Sequence, residues 1–338
     1  MRRVAAALGR LLNAPSRGRI EILDALRGLA ALAVVGYHYT TRYGELFGAS
    51  PLPFGLPFGA YGVNLFFMIS GFVIYMTLDA TTRVGDFLVS RFSRLYPAFW
   101  TALSLTALVL LFADLPGRGV GLRQFLVNLT MLQEFVHVPA VDGVYWTLTV
   151  ELRFYFWMLL LWLLGALRRP QWFVLPWLAL ALLRHHLPAS VASALMLEYF
   201  PLFGFGIAVH ALRRSAWRGR WAWVMALAAL ASAGPLNMGL MLLFGALLRW
   251  PPRWLNAAPL VWLGALSYPL YLVHQNIGYV IIRACGGGAL GVLAALAGAL
   301  LLAWCINTGV ERPLIRTIRD TYRRRFPAPS VIKATNPM

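Results

Sequence analysis

Charge is scarce in this sequence. Only 12% of its 338 residues are Asp, Glu, Lys or Arg, and the 12 acidic residues face 30 basic ones. Set beside 60% hydrophobic residues and a mean hydropathy of +0.67, so low a charged fraction excludes an ordinary soluble domain. Cysteine is scarcer still. Cys285 and Cys305 both sit in late apolar stretches, which leaves no disulfide framework and no Cys/His set at zinc spacing, so no metal is expected. Two further motif types are missing: a Gly-rich nucleotide loop and a Gly-x-Ser-x-Gly nucleophile elbow. The net charge of +18 would suit a nucleic-acid binder, but the basic residues fall between apolar runs rather than on one patch. A lipid bilayer, not nucleic acid, is the partner that pattern predicts.

What the chain has in abundance is apolar runs near 20 residues long. They predict an all-α, polytopic membrane protein of about ten transmembrane helices, at roughly 25-43, 61-78, 97-113, 144-167, 171-184, 191-212, 221-234, 236-250, 259-282 and 289-310. Basic residues test that count independently: 23 fall in loops on one side, 5 on the other, and Arg27 and Arg153 lie within spans. The asymmetry makes both termini cytoplasmic. Residues 1–20 then read as a basic amphipathic arm on the membrane surface, 21–312 as the transmembrane domain, and 313–338 as a basic cytoplasmic tail. Two outer segments are longer than turns. Residues 44–60 are rich in proline and glycine, and 114–143 carry Leu122, Phe125, Leu126 and Leu129 at helical spacing. They either roof an outward-facing site or simply connect spans.

Ionisable groups inside the apolar runs mark the candidate chemistry, because an unpaired one costs several kcal/mol in a bilayer. Arg27 and His38 share the first span. Eleven steps of 100° bring them to within roughly 20° of one helical face, about 16 Å apart along the axis. In the fourth span Glu151 lies about as far below the outer surface as His38 does, roughly 8 Å. Equal depth makes it the expected partner of the imidazole, orienting the ring and raising its basicity. Arg91 and Arg94 stand i,i+3 on one helical face, a spacing that suits phosphate groups but equally suits positive-inside anchoring. Trp146 lies near the outer interface. In the ninth span Tyr271 and His274 are i,i+3 neighbours beyond Pro269, where a kink would free backbone groups for an internal site.

Taken together, the sequence resembles the acyltransferase-3 family of integral membrane acyltransferases, which includes O-antigen and exopolysaccharide O-acetylases. The resemblance rests on Leu23-Asp-Ala-Leu-Arg-Gly-Leu-Ala-Ala with His38, an Arg-x10-His motif, and on Gly62-Val-Asn-Leu-Phe-Phe-Met-Ile-Ser-Gly-Phe-Val-Ile. It continues in Arg91-Phe-Ser-Arg94, Trp146-Thr-Leu-Thr-Val-Glu151 and Leu266-Ser-Tyr-Pro-Leu-Tyr-Leu-Val-His274, five motifs in the family's order between residue 20 and about 312. It implies an acyl-CoA co-substrate, usually acetyl-CoA, arriving from the cytoplasm, with no further cofactor. The acceptor it implies is a sugar hydroxyl on a lipid-linked or exported glycan, and the location is the bacterial inner membrane. His38 takes the position of the family's essential histidine, and Arg27, Arg91 and Arg94 those of donor-binding residues. Asn64, Trp146, Tyr271 and His274 are candidates for an acceptor or supporting site. Some relatives carry a soluble esterase-like domain after the bundle, and none is expected here.

On this reading His38, oriented by Glu151, deprotonates the acceptor for attack on the thioester, with an acyl-histidine relay as a variant. Two readings compete with it. Intramembrane His, Glu and Arg also mark transporters or flippases, and the same family resemblance allows acylation of a small cytoplasmic metabolite.

Overall fold

The computed structural model describes residues 21–327 apart from 49, 114 and 217. The predicted N-terminal arm and the last eleven residues of the predicted tail lie outside the described residues. Among those described there are helices and turns but no strand. The longer helices are α1 (Glu21–Tyr37), α2 (Gly62–Asp79), α3 (Val84–Phe112), α4 (Trp146–Leu163), α5 (Gln171–Leu182) and α6 (Phe200–Arg214). After them come α7 (Arg220–Ala231), α8 (Pro235–Arg249), α9 (Ala258–Ala284), α10 (Gly288–Ile306) and α11 (Arg312–Arg325).

Every predicted apolar run falls on a helix, but length separates them. The helices Pro57–Asp79, Val84–Phe112 and Gly288–Arg325 are long and apolar enough to cross a membrane. By contrast α5 and α7 have 12 residues and α8 has 15, which at 1.5 Å per residue gives about 18–23 Å against a hydrocarbon core of about 30 Å. Ten full spans therefore do not follow from the helices. Boundaries shift too. The predicted third run starts at 97, whereas α3 begins at Val84 and continues through Pro97, so Arg91 and Arg94 belong to one rigid 29-residue rod. The predicted run 191-212 is two helices, Ala189–Ala194 and α6, separated by a turn in which Met196 adopts φ +52°.

The order of packing runs from α10 through α9, α1 and α2 to α6, with α3 and α4 closing the other side. Two crossings depend on missing side chains. At the crossing of α1 and α9, a Cβ on Gly264 would stand 2.0 Å from the Asp24 carbonyl oxygen, and one on Gly28 would stand 2.8 Å from the Gly264 nitrogen. At the crossing of α2 and α6, a Cβ on Gly71 would meet the Phe203 carbonyl oxygen at 2.1 Å and one on Gly206 the Met68 carbonyl oxygen at 2.1 Å. Small residues let backbones approach this closely where lipid offers no hydrophobic drive between helices. The periphery is apolar and open: Leu111, Phe112, Leu164, Leu290, Leu293 and Leu301 are all more than half exposed. Such a surface suits lipid rather than water.

The centre is α9. Ser267, His274, Gln275 and Asn276 are buried in its middle, which lowers its hydropathy while its surroundings shield it. The long connection 113–145 is tied to that middle. Asp142 Oδ2 accepts from the Asn276 N–H at 3.0 Å, and Asn276 Nδ2 donates to the Val141 carbonyl at 2.9 Å. Asn128 braces the same connection, donating to the Pro139 carbonyl and accepting from the Val141 N–H, both at 3.0 Å.

Candidate active site

Along α1, α2, α4 and α9, two cavities are stacked end to end. The first, of about 100 Å³, is lined by Arg27, Ser70, Arg91, Arg94, Glu151 and Tyr268, among others. The second, of about 480 Å³, is lined by His38, Asn64, Arg118, Trp146 and Gln275, among others. Val63 and Tyr271 form part of both walls. A narrow basic chamber thus adjoins a wider one whose size falls in the roughly 300–1,000 Å³ range of small-molecule sites. Ala60, Arg118, Gly143 and Val144 bring both long connections into the wall of the wider chamber, so those segments are part of the site.

His38 opens a π-helical turn, His38–Arg42, at the end of α1, and its carbonyl accepts the Tyr43 N–H five residues on. Such turns insert a residue into the helical ladder and are frequent at functional sites. Its Nδ1 lies 2.9 Å from the Val34 carbonyl and 3.3 Å from Nε2 of His274. His274 Nδ1 in turn lies 2.8 Å from the Tyr271 carbonyl and 3.2 Å from that of Leu270. Carbonyls only accept, so each Nδ1 carries the hydrogen in the neutral rings; the assignment rests on this network. The one hydrogen on His38 Nδ1 is then shared between the Val34 carbonyl and, at the longer distance, His274 Nε2, and His38 Nε2 keeps its lone pair. The Tyr39 hydroxyl donates to the His274 carbonyl at 2.8 Å and fixes the pair from behind.

Glu151 does not pair with His38. Its carboxylate accepts from Ser70 Oγ at 3.0 Å and from the Tyr155 hydroxyl, in the wall of the basic chamber. Equal depth along two helices says nothing about which way each side chain points: α1 turns His38 toward α9, and α4 turns Glu151 toward α2. Arg153, two residues further on, pairs instead with Glu134, Nη2 to Oε2 at 3.2 Å. Burial pushes the Glu134 carboxyl up from its usual range, and the Arg153 charge pulls it back.

In the basic chamber, Arg27 Nη1 meets Asp24 Oδ1 at 3.3 Å, and Arg94 pairs with buried Glu311, which also accepts from Asn307 Nδ2 at 2.9 Å. Arg91 has no ion pair among the described residues; its Nη2 donates to Ser90 Oγ at 3.1 Å. That same hydroxyl accepts from Arg319 Nη2 of α11 at 3.2 Å, while Arg319 Nε reaches Ser93 Oγ at 3.3 Å. Two guanidinium groups on one serine, with no carboxylate between them, make a site short of an anion. Arg319 escapes notice in the sequence because it sits in an arginine-rich tail. The signal was the strong amphipathy of Arg312–Arg325, which gives that helix one inward face.

The remaining candidates fall around the wider chamber. Asn64 Nδ2 donates to Asn237 Oδ1 at 2.6 Å, and the Tyr271 hydroxyl sits 2.9 Å from both Thr147 Oγ1 and the Val144 carbonyl. Trp146 lines this chamber and the next cavity beyond it.

A profile of the Acyl_transf_3 acyltransferase domain matches residues 20–308. The chain belongs to the acyltransferase-3 family. Among curated proteins, it is similar to nodulation protein 10 of Rhizobium leguminosarum bv. viciae, 31% identical over 42% of this chain and 44% of that protein. Protein 2 in the picA locus of Rhizobium radiobacter is 38% identical over 26% of this chain and 44% of that protein. The chain therefore spans under half the length of these two relatives. Acyltransferase MdmB of Streptomyces mycarofaciens is 26% identical over 89% of this chain and 92% of that protein. No solved structure matches. With its apolar helices, this member of the family is an integral membrane protein.

Proposed function

We propose that this acyltransferase moves an acyl group, acetyl in the usual case, from acyl-CoA on the cytoplasmic side to a sugar hydroxyl of a lipid-linked or exported glycan in the bacterial inner membrane. The observation that carries this reading is the pair of stacked chambers, one where Arg91 shares a serine with Arg319 and neither has an ion pair among the described residues, and the next with a histidine whose Nε2 keeps its lone pair. The diphosphate and ribose phosphate of the donor would meet Arg91 and Arg319, with Arg27 and Arg94 behind them. Its narrow pantetheine arm suits the first chamber and would run past Glu151 and Tyr268 to Tyr271, bringing the thioester toward His38.

There His38 Nε2 takes the proton of the acceptor hydroxyl as the oxygen attacks the thioester carbonyl. A C–O bond forms and the C–S bond breaks. The departing CoA thiolate receives the proton back from His38, so an ester and free CoA thiol leave with charge balanced. His274 is a positioning residue in this scheme: by accepting from His38 Nδ1–H it aims Nε2 at the chamber and supports the charge that builds on the ring. In this reading both termini face the cytoplasm, the side to which the excess of loop arginines points.

Membranes containing the protein, given radiolabelled acetyl-CoA, are expected to place alkali-labile label in the glycan or glycolipid fraction. His38→Ala should lower that transfer by roughly 10²–10⁴-fold. Label confined to a small soluble product would overturn the glycan acceptor, and undiminished transfer by His38→Ala would overturn the base.

A further inference from the structure

On the far side of Trp146 from His38 lies a larger cavity, of about 670 Å³, that the transfer chemistry leaves unused. Its walls combine two kinds of surface. Trp146 and Tyr199 make an aromatic wall, with ring centroids 5.4 Å apart and planes tilted by 39°. Around it stand both donors and acceptors: Arg153, Arg184 and Ser193 against Glu134 and Glu198. Arg153 is held firmly, with Nη1 on Ser193 Oγ at 3.1 Å, Nη2 on Glu134 and its guanidinium 4.8 Å over the Phe135 ring. Its Nε is buried and has no hydrogen-bond partner.

Several ligand classes fail against that lining. An acyl chain would strip water from Arg153, Arg184, Glu134 and Glu198 and return no hydrogen bonds. A phosphate or carboxylate would face Glu134 and Glu198, and a cation would face Arg153 and Arg184. A neutral sugar ring fits, because each hydroxyl both donates and accepts while the C–H face packs on an aromatic ring. We infer that this cavity is a second acceptor subsite, holding the neutral saccharide unit next to the one acylated beside His38, with Trp146 as the partition that both units touch. The inference rests on the glycan reading above and sharpens it: the acceptor is at least a disaccharide.

The test uses the full chain in lipid nanodiscs with labelled acetyl-CoA. Two acceptor probes are compared: oligosaccharide fragments of the glycan from cells lacking this protein, and the monosaccharides released from the same glycan by hydrolysis. The wild type is expected to prefer the fragments in kcat/KM by on the order of tenfold or more, the worth of a hydrogen bond or two. Arg184→Gln and Glu198→Gln, on opposite kinds of polar wall, should each pull the ratio of the two acceptors toward one. A wild-type ratio of one, or variants that keep the wild-type ratio, would overturn the subsite while leaving a glycan acceptor in place. Label in neither probe would overturn the glycan reading and the subsite with it.

Discussion

At the scale of single residues, the decisive contact joins two histidines from opposite ends of the chain. The sequence made both visible as costly groups in apolar runs, but it did not join them, because residue counting measures depth and not azimuth. Glu151 shares His38's depth, which makes it the expected partner; the structure gives that place to His274 and leaves Glu151 to Ser70 and Tyr155. The two assignments predict different kinetics. Replacing His274 with Ala removes one acceptor behind the base and should lower kcat by about tenfold, with His274→Gln recovering part of the loss through its amide oxygen. Glu151→Gln should instead act on the donor side, changing the KM for acetyl-CoA while kcat stays within about threefold. Steady-state kinetics on the three variants decides between them, and a Glu151→Gln enzyme as dead as His38→Ala would restore the original pairing.

At the scale of elements, hydropathy located the helices well because a lipid-facing rod must be apolar along its length. It could not foresee the π-helical turn at His38–Arg42, which no local propensity encodes and which the packing of Tyr39 beneath α9 holds in place. Nor could it measure the short helices, whose ends are set by neighbours. The contact between α1 and α9 matters most, since it carries His38 to His274. Glycine makes it possible, so Gly264→Ala should push the helices apart at Asp24 and cost roughly 1–3 kcal/mol by overpacking, with loss of transfer as the histidines separate. Gly239 in α8 is the control. A Cβ there meets nothing within 4 Å, so Gly239→Ala should leave stability level or raise it by up to about 1 kcal/mol. Thermal melting of both variants in one detergent reads the contrast, and equal melting of the two would remove the glycine crossing as the cause.

At the scale of the whole molecule, one question joins charge to chemistry: which end of the bundle faces the cytoplasm. In the proposed reading the basic chamber opens toward the compartment that holds acyl-CoA, and the arginine excess in the loops points to the cytoplasm as that side. Arg319 strengthens the link, because a helix from the basic tail reaches back to Ser90 and Ser93 beneath the same chamber. The protein's two cysteines can test it without any engineered tag. Cys285 closes α9 at the end where His38 and its chamber lie, Cys305 is the penultimate residue of α10 at the opposite end, and both are free and exposed. A membrane-impermeant maleimide added to spheroplasts should therefore modify Cys285, with the label lost in Cys285→Ser and kept in Cys305→Ser. Labelling of Cys285 only after the membrane is opened would invert the bundle, and the arginines would then face a compartment without acyl-CoA.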